Sequence, residues 1–323
     1  MYKKMSFRTI GQCIDQTGYV KKTSGVKMGF ISVKEASEKW GITERVVRQY
    51  CADGRVPGAF ITGKTWNIPD DAKKPGRKPR RRNVPEYLAG RLVMEKENRV
   101  SGGIYHKVQI ELTYNSNHME GSRLSHDQTR YIFETNTIET PDGSVNVDDI
   151  LETVNHFRCI DLIIDQAERP LTENLIRQLH LILKNGTADS RKSWFAVGAY
   201  KQLANEVGGR ATTLPKDVPQ AMKELLADYR KQEVVTLDDL LEFHYRFESI
   251  HPFQDGNGRV GRLILFKECL RNEIVPFIIE DDMKLYYYRG LHEWRKEKGY
   301  LRDTCLTAQD RFKTYLDYYG VRY

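Results

Sequence analysis

Apolar residues recur at helical spacing through most of the second half of the chain. Leu240, Leu241, Phe243, Tyr245, Phe247 and Ile250 share one face of a 3.6-residue repeat and predict an amphipathic helix. Pro252 disfavours α geometry at the residue before it, so this helix should stop near His251. Val260, Leu263, Ile264, Leu265, Phe266 and Leu270 predict a second, mostly buried helix whose first turn falls near Gly258 and Arg259. Ile104, Val108 and Leu112, followed by Tyr114 to Met119, predict another, with Gly121 as its C-cap. Ala221 to Tyr229, after Pro219, reads as helix as well. Tyr286, Tyr287, Tyr288 and Leu291 fall on a later helix, where core packing is expected for most of them. Strand signals are sparse. Val207 and Thr213 around Gly208-Gly209 predict a short hairpin. The expected fold class is therefore mainly α.

The front of the chain has a different pattern. Ser32 and Glu35 form a capping box that opens a short helix through Trp40, and Gly41 breaks it. Thr43 is placed to cap a second helix from Glu44 to Cys51, with Val46, Val47 and Tyr50 at helical spacing. A tight hairpin from Phe60 to Ile68 follows, turning at Gly63-Lys64 and ended by Pro69. Two short helices about a glycine turn, then a hairpin, read as a small winged helix-turn-helix domain over residues 28–70. Arg45, Arg48 and Lys64 are its candidate DNA contacts. Residues 1–27 show no clear periodicity and are expected to be an N-terminal extension without order.

Charge sharpens this division. The 323 residues carry a net charge of +7, with 51 Lys and Arg against 44 Asp and Glu. The first 100 residues hold 22 basic and 10 acidic side chains; the remainder holds 29 and 34. The basic excess therefore belongs to the front. Lys73 to Arg82 has seven basic and no acidic residues, and its prolines and glycine keep it extended, which predicts a basic linker over residues 71–85. It resembles an AT-hook, but Lys78 breaks the Gly-Arg-Pro core. It is expected to act as an unspecific phosphate-binding arm, so that residues 28–82 engage DNA. Five scattered cysteines without a Cys-x-x-Cys pair argue for a reduced, cytoplasmic environment and against a zinc site or disulfide frame. No apolar run approaches a membrane span, so no membrane partner is expected.

The densest chemistry lies in His251-Pro-Phe-Gln-Asp-Gly-Asn-Gly-Arg-Val-Gly-Arg262. His251 can accept a proton near neutral pH. Asp255 is a hard oxygen donor of the kind Mg²⁺ prefers. Gly256, Gly258 and Gly261 allow close backbone approach and positive φ. Arg259 and Arg262 offer planar forks for phosphate. A helix beginning inside this loop adds free N–H groups and the positive end of its dipole. The combination reads as helix, anion nest, helix, with a base at the entrance. No Gly-Lys-Ser/Thr follows, so it is not a P-loop.

This run resembles, at every defined position, the His-Pro-Phe-x-Asp/Glu-Gly-Asn-Gly-Arg-x-x-Arg signature of Fic-domain proteins. The resemblance extends over roughly the C-terminal two thirds of the chain. It implies an all-α catalytic domain over residues 86–323 that transfers AMP from ATP to a Ser, Thr or Tyr hydroxyl of a target protein. By the same resemblance His251 is the base, Asp255 holds Mg²⁺, and Asn257 with the N–H groups near Gly256 and Gly258 holds the α-phosphate. Arg259 binds the phosphates and Arg262 reaches the γ-phosphate.

Ser116-Asn-His-Met-Glu120-Gly121 is similar to the inhibitory motif of that family, in which the glutamate pairs with the second arginine, here Arg262. The motif is short, and by itself a helix end with a glycine cap would explain it. The resemblance further implies that Asn205, Val207, Gly208 and Gly209 form a β-hairpin flap that docks the target as an added strand, and that Tyr288 lines an adenine pocket. Removal of AMP, a different transferred group such as UMP or phosphocholine, and a homo-oligomer that masks the site stay open. The alternative class is a DNA-binding transcription regulator whose Fic domain senses nucleotide.

Overall fold

The computed structural model describes residues 20–21, 27–63, 65–76, 85–140 and 143–323. It divides into two compact units, Met1–Arg82 and Asn83–Tyr323.

In the first unit, β1 (Val20–Lys21) pairs antiparallel with β2 (Lys27–Met28). After β3 (Phe30–Ile31), Ser32 caps α1 (Val33–Trp40). Its hydroxyl accepts from the Glu35 N–H at 3.3 Å, and the Glu35 carboxylate accepts from the Ser32 N–H at 2.7 Å. Gly41 ends α1 in the left-handed region at φ 61°. α2 (Glu44–Ala52) follows, but the Thr43 side chain makes no capping bond. β4 (Phe60–Thr62) and β5 (Thr65–Pro69) form the expected hairpin. It is larger than expected: β3 adds to β5, and Pro69, the residue that ends β5 as expected, stands opposite Phe30. Proline can stand there because it is the last residue of β5, where its missing N–H costs little. Val33, Ala36, Trp40, Val47, Cys51, Val56 and Ile68 form this unit's core.

The second unit is helical. It contains α3 (Leu88–Glu97), α4 (Ile104–Met119), α5 (His126–Thr135), α6 (Val147–Asp165) and α7 (Glu173–Leu183). The flap strands β6 (Glu206–Val207) and β7 (Arg210–Ala211) come next. They are followed by α8 (Val218–Tyr229), α9 (Leu237–Ile250), α10 (Asn257–Arg271), α11 (Lys284–Glu293) and α12 (Gly299–Tyr319). Pro219 sits in the first turn of α8 instead of before it, where its missing N–H would have been unpaired anyway.

α10 is the axis of the unit. It packs against α9, α6, α7, α4 and α3. Every residue from Arg259 to Leu270 is buried, so the helix has no polar face. Charges inside it are paired internally: Lys267 bonds Glu268 at 2.6 Å, and the Tyr229 hydroxyl donates to Glu268 at 2.6 Å. Cys159, Cys269 and Cys305 are buried in this core. Of the tyrosine run on α11, only Tyr287 is core; Tyr286 and Tyr288 are exposed, because α11 packs one face alone on α12. Among the described residues, no helix is long and apolar enough to cross a membrane.

Leu263 is fully buried at the centre of α10. Leu263→Ala should lower the stability of this unit by roughly 2–5 kcal/mol, the range for a buried leucine truncated at a site that cannot collapse. The denaturant midpoint should fall with little change in its slope, and an unchanged midpoint would show that α10 is not the packing axis.

Candidate functional site

The loop between α9 and α10 is built by its own residues. α9 ends at Ile250, and His251 caps it in the left-handed region at φ 51°, its N–H donating to the Phe247 carbonyl at 2.9 Å. A non-glycine residue there is uncommon and aims the imidazole away from the helix. Pro252 turns the chain. Phe253 is buried and stacks on His180, with ring centroids 4.0 Å apart. Asn257 then closes the loop: its Oδ1 accepts from the Phe253 N–H at 2.8 Å, and its Nδ2 donates to the Phe253 carbonyl at 2.9 Å. The side chain is buried with its amide engaged in both directions. It holds the loop's shape through these two bonds. A buried amide must satisfy donor and acceptor together, and the Phe253 peptide groups do so.

The three glycines act differently from one another. Gly256 alone has positive φ, at 79°. Gly258 and Gly261 are helical, and what they supply is room. A Cβ on Gly258 would stand 2.3 Å from Glu120 Oε1, and one on Gly261 would stand 2.5 Å from Glu248 Oε1. The Glu120 carboxylate therefore lies directly on the first turn of α10, where the free N–H groups and the dipole favour an anion.

The structure brings Ser116, Glu120 and Arg262 together across a sequence gap of more than 140 residues. Arg262 Nη2 bonds Glu120 Oε1 at 2.7 Å and the Ser116 carbonyl at 2.9 Å, while its Nε donates to Ser116 Oγ at 3.0 Å. Burial works against the guanidinium's charge, but Glu120 more than offsets it and raises its pKa. Gly121 follows in the left-handed region at φ 98°, as a residue just past a helix should.

Arg259 is engaged elsewhere. It pairs with Glu152 of α6 and, at 3.3 Å, with Asp255. Asp255 also takes the Lys184 ammonium at 2.7 Å, and Lys184 reaches Glu152 at 2.5 Å and Asp189 at 3.1 Å. Partial burial favours the neutral Asp255 acid, but Arg259 and Lys184 outweigh it and hold the carboxyl far below its usual range. Lys184, Glu152 and Asp189 join this charge cluster, although sequence patterns do not mark them. Each is one charged residue on an ordinary helix or turn, and only the fold makes them converge.

His251 is set apart as a neutral imidazole. Burial first, and the nearby Lys201 cation second, lower its pKa to about 4. Its Nδ1 is buried, 4.0 Å from Glu248, which leaves Nε2 as the nitrogen for an outside proton. Burial pushes Glu248 itself up to about 8.

Beside the loop, Glu206 pairs with Ala211 and Val207 with Arg210. Gly208 and Gly209 take φ of 56° and 74°, the two-residue turn of a twisted hairpin. Val207 is exposed, and Asn205 Nδ2 ties the flap to the Phe253 carbonyl at 3.2 Å. The Tyr288 hydroxyl lies 3.4 Å from the Met119 carbonyl, next to Glu120. Burial and the Glu120 charge raise its pKa to about 12. In the other unit, Arg45 and Arg48 are exposed on α2, with Arg48 paired to Glu44 at 2.7 Å. Lys64 and the end of the basic linker lie outside the described residues.

Residues 170–268 match the model of the Fic/DOC family. The chain thus carries a Fic/DOC family domain, and its relatives include distant adenylyltransferases. "Protein adenylyltransferase fic-1" of Caenorhabditis elegans is 25% identical over 195 residues, 58% of this chain and 35% of that protein. "Protein adenylyltransferase Fic" of Drosophila grimshawi is 26% identical over 58% of this chain and 36% of its own length. The matched region thus spans about a third of these curated relatives. The crystal structure of a Fic domain containing signaling protein from Bacteroides thetaiotaomicron superposes with a TM-score of 0.53 at 25% identity. That match covers 72% of this chain and 91% of the other.

Lys184→Met should destabilise the helical unit by about 3 kcal/mol, because it strands the largely buried Glu152 with less countercharge. Chemical denaturation measures this. A variant as stable as wild type would make the charge cluster incidental.

Proposed function

We propose that this protein is an autoinhibited adenylyltransferase that moves AMP from ATP to a Ser, Thr or Tyr hydroxyl of a target protein. The observation that carries the reading is the Glu120 carboxylate, which lies on the N-terminal turn of α10 with Arg262 bonded to it. A carboxylate held there stands where a phosphate would be bound, and it engages the guanidinium that would bind that phosphate.

In this reading the target hydroxyl lies against His251 Nε2. Neutral at pH 7, His251 takes the hydroxyl proton as the oxygen attacks the α-phosphorus. The bond from the α-phosphorus to the bridging oxygen breaks, and pyrophosphate leaves. The N–H groups of Gly258 and its neighbours hold the transferring phosphoryl oxygens, and Arg262 holds the γ-phosphate once Glu120 has moved away. Asp255 fits a divalent ion that arrives with the nucleotide, since it is ionised and half exposed. Among the described residues no group of three or more His, Cys, Asp or Glu could hold a metal by itself. An ion completed by water and phosphates needs only one such carboxylate. Bound Mg²⁺ would neutralise charge on the phosphates. Tyr288, exposed beside Glu120, is placed for the base, and the flap for the target strand.

The front unit is read as a DNA-binding module. Its basic excess and the exposed Arg45 and Arg48 on a short second helix support this. The alternative, a regulator whose Fic domain only senses nucleotide, is disfavoured by the intact set of His251 beside Asn257, which sensing does not require.

Two experiments test these roles. Initial rates of AMP incorporation from labelled ATP should rise at least tenfold in Glu120→Gly. They should fall by about 10²–10⁴ when His251→Ala is added. Arg262→Ala should be inactive with or without Glu120→Gly, so the two changes are non-additive. Equal rates for wild type and Glu120→Gly across ATP concentrations would reject autoinhibition. Separately, the full chain should shift duplex DNA at low salt, with affinity falling steeply as salt rises. The double change Arg45→Ala with Arg48→Ala should lower sequence preference. Absence of any shift would assign the front unit to another partner.

A further inference from the structure

Lys201 is buried, 3% exposed, and among the described residues no carboxylate pairs with it. Its ammonium instead donates to three neutral oxygens: Asn205 Oδ1 at 2.7 Å, Thr212 Oγ1 at 2.6 Å and the Ile250 carbonyl at 3.3 Å. Asn205 and Thr212 are the two feet of the flap. Ile250 is the last residue of α9, next to His251. The Lys201 N–H also donates to the Pro252 carbonyl at 2.9 Å. Around it the connection continues: Thr212 Oγ1 donates to Asn205 Oδ1 at 2.6 Å, and the Leu203 N–H donates to Gln254 Oε1 at 3.2 Å. All three ammonium protons are thus used, two on the flap and one on the His251 turn.

A buried cation without a countercharge is costly, and an apolar residue would fill the same space without that cost. Burial pulls the Lys201 pKa down to about 8, so the site works against the charge it holds. Such a residue needs a reason beyond packing. We infer that Lys201 is a positioning residue that ties the flap to the His251 turn, so that a target segment seated on the flap is held in register with the base. The inference rests on the proposed AMP transfer. The cation has a second consequence for the groups facing His251, which are Glu248 of α9, Glu120 at the end of α4, Asp255 of the loop and Lys201. Lys201 is the member of that set whose charge disfavours imidazolium.

The test uses the full chain without nucleotide first. In Lys201→Met, amide hydrogen exchange over residues 203–213 should quicken about tenfold, the scale of losing one or two net hydrogen bonds. Exchange in α10 should stay unchanged. The His251 ring titration, followed by NMR, should move up from about 4. Lys201→Arg should keep the titration low. Thr212→Val should quicken the flap and leave His251 alone, which keeps the idea testable if Lys201→Met does not fold. In the Glu120→Gly background, Lys201→Met should raise KM for the hydroxyl target severalfold and leave KM for ATP as it was. Flap exchange equal to wild type would overturn the tether. So would faster exchange spread evenly over the helical unit, which would mark Lys201 as merely structural. If no variant transfers AMP, the proposed activity fails, while exchange and titration still decide the role of Lys201.

Discussion

The helical unit is organised around two arginines in a place that ought to exclude them. α10 is buried from Arg259 to Leu270, and its first two turns carry Arg259 and Arg262. A guanidinium in such a position costs several kcal/mol unless oxygens surround it. Two packing neighbours of α10 and the preceding loop supply them. α6 brings Glu152 and the loop brings Asp255 to Arg259, and α4 brings Ser116 and Glu120 to Arg262. The first pair of carboxylates then requires Lys184, which in turn draws in Asp189. The position of the end of α4 over the loop is therefore a consequence of charge burial in α10. Any ligand that replaces Glu120 must supply an anion of its own.

The same logic run in the opposite direction governs His251, the proposed base. His251 sits where burial and a nearby cation both penalise imidazolium, so the ring stays neutral through the physiological range. Two orphaned polar atoms, His251 Nδ1 and Glu248 Oε1, lie beneath it. With burial raising the Glu248 pKa to about 8, the floor of the site is a protonated acid and not a second carboxylate. Glu120 and Asp255 are the carboxylates that, in the proposed reading, a nucleotide and its ion would meet.

What could be read from the sequence was local. Pro252 fixed the end of α9, the glycine pattern fixed the start of α10, and the capping box of Ser32 fixed the start of α1. These are signals in which a residue's own backbone constraint decides the outcome. The Glu120–Arg262 contact could not be derived that way; it was expected from a family resemblance alone, because no spacing rule joins residues so far apart. Lys184, Glu152 and Lys201 carried no signal at all, since a lone charged residue normally means a solvated surface. Asn257 likewise gave no local sign that its amide would close the loop on Phe253.

The Glu120–Arg262 contact also joins stability to restraint. Glu120 supplies the anion that buried Arg262 requires, so in the proposed reading one contact would both hold the fold and close the site. Loss of the carboxylate frees the guanidinium but leaves it buried with only the Ser116 oxygens, and an unpaired buried charge is expensive. Release should therefore be conditional. In the proposed reading a phosphate group that took the place of Glu120 would supply the anion that Arg262 needs. If the proposed restraint holds, loss of the Glu120 carboxylate would relieve it and destabilise the unit together, the usual conflict between activity and stability at a charged site.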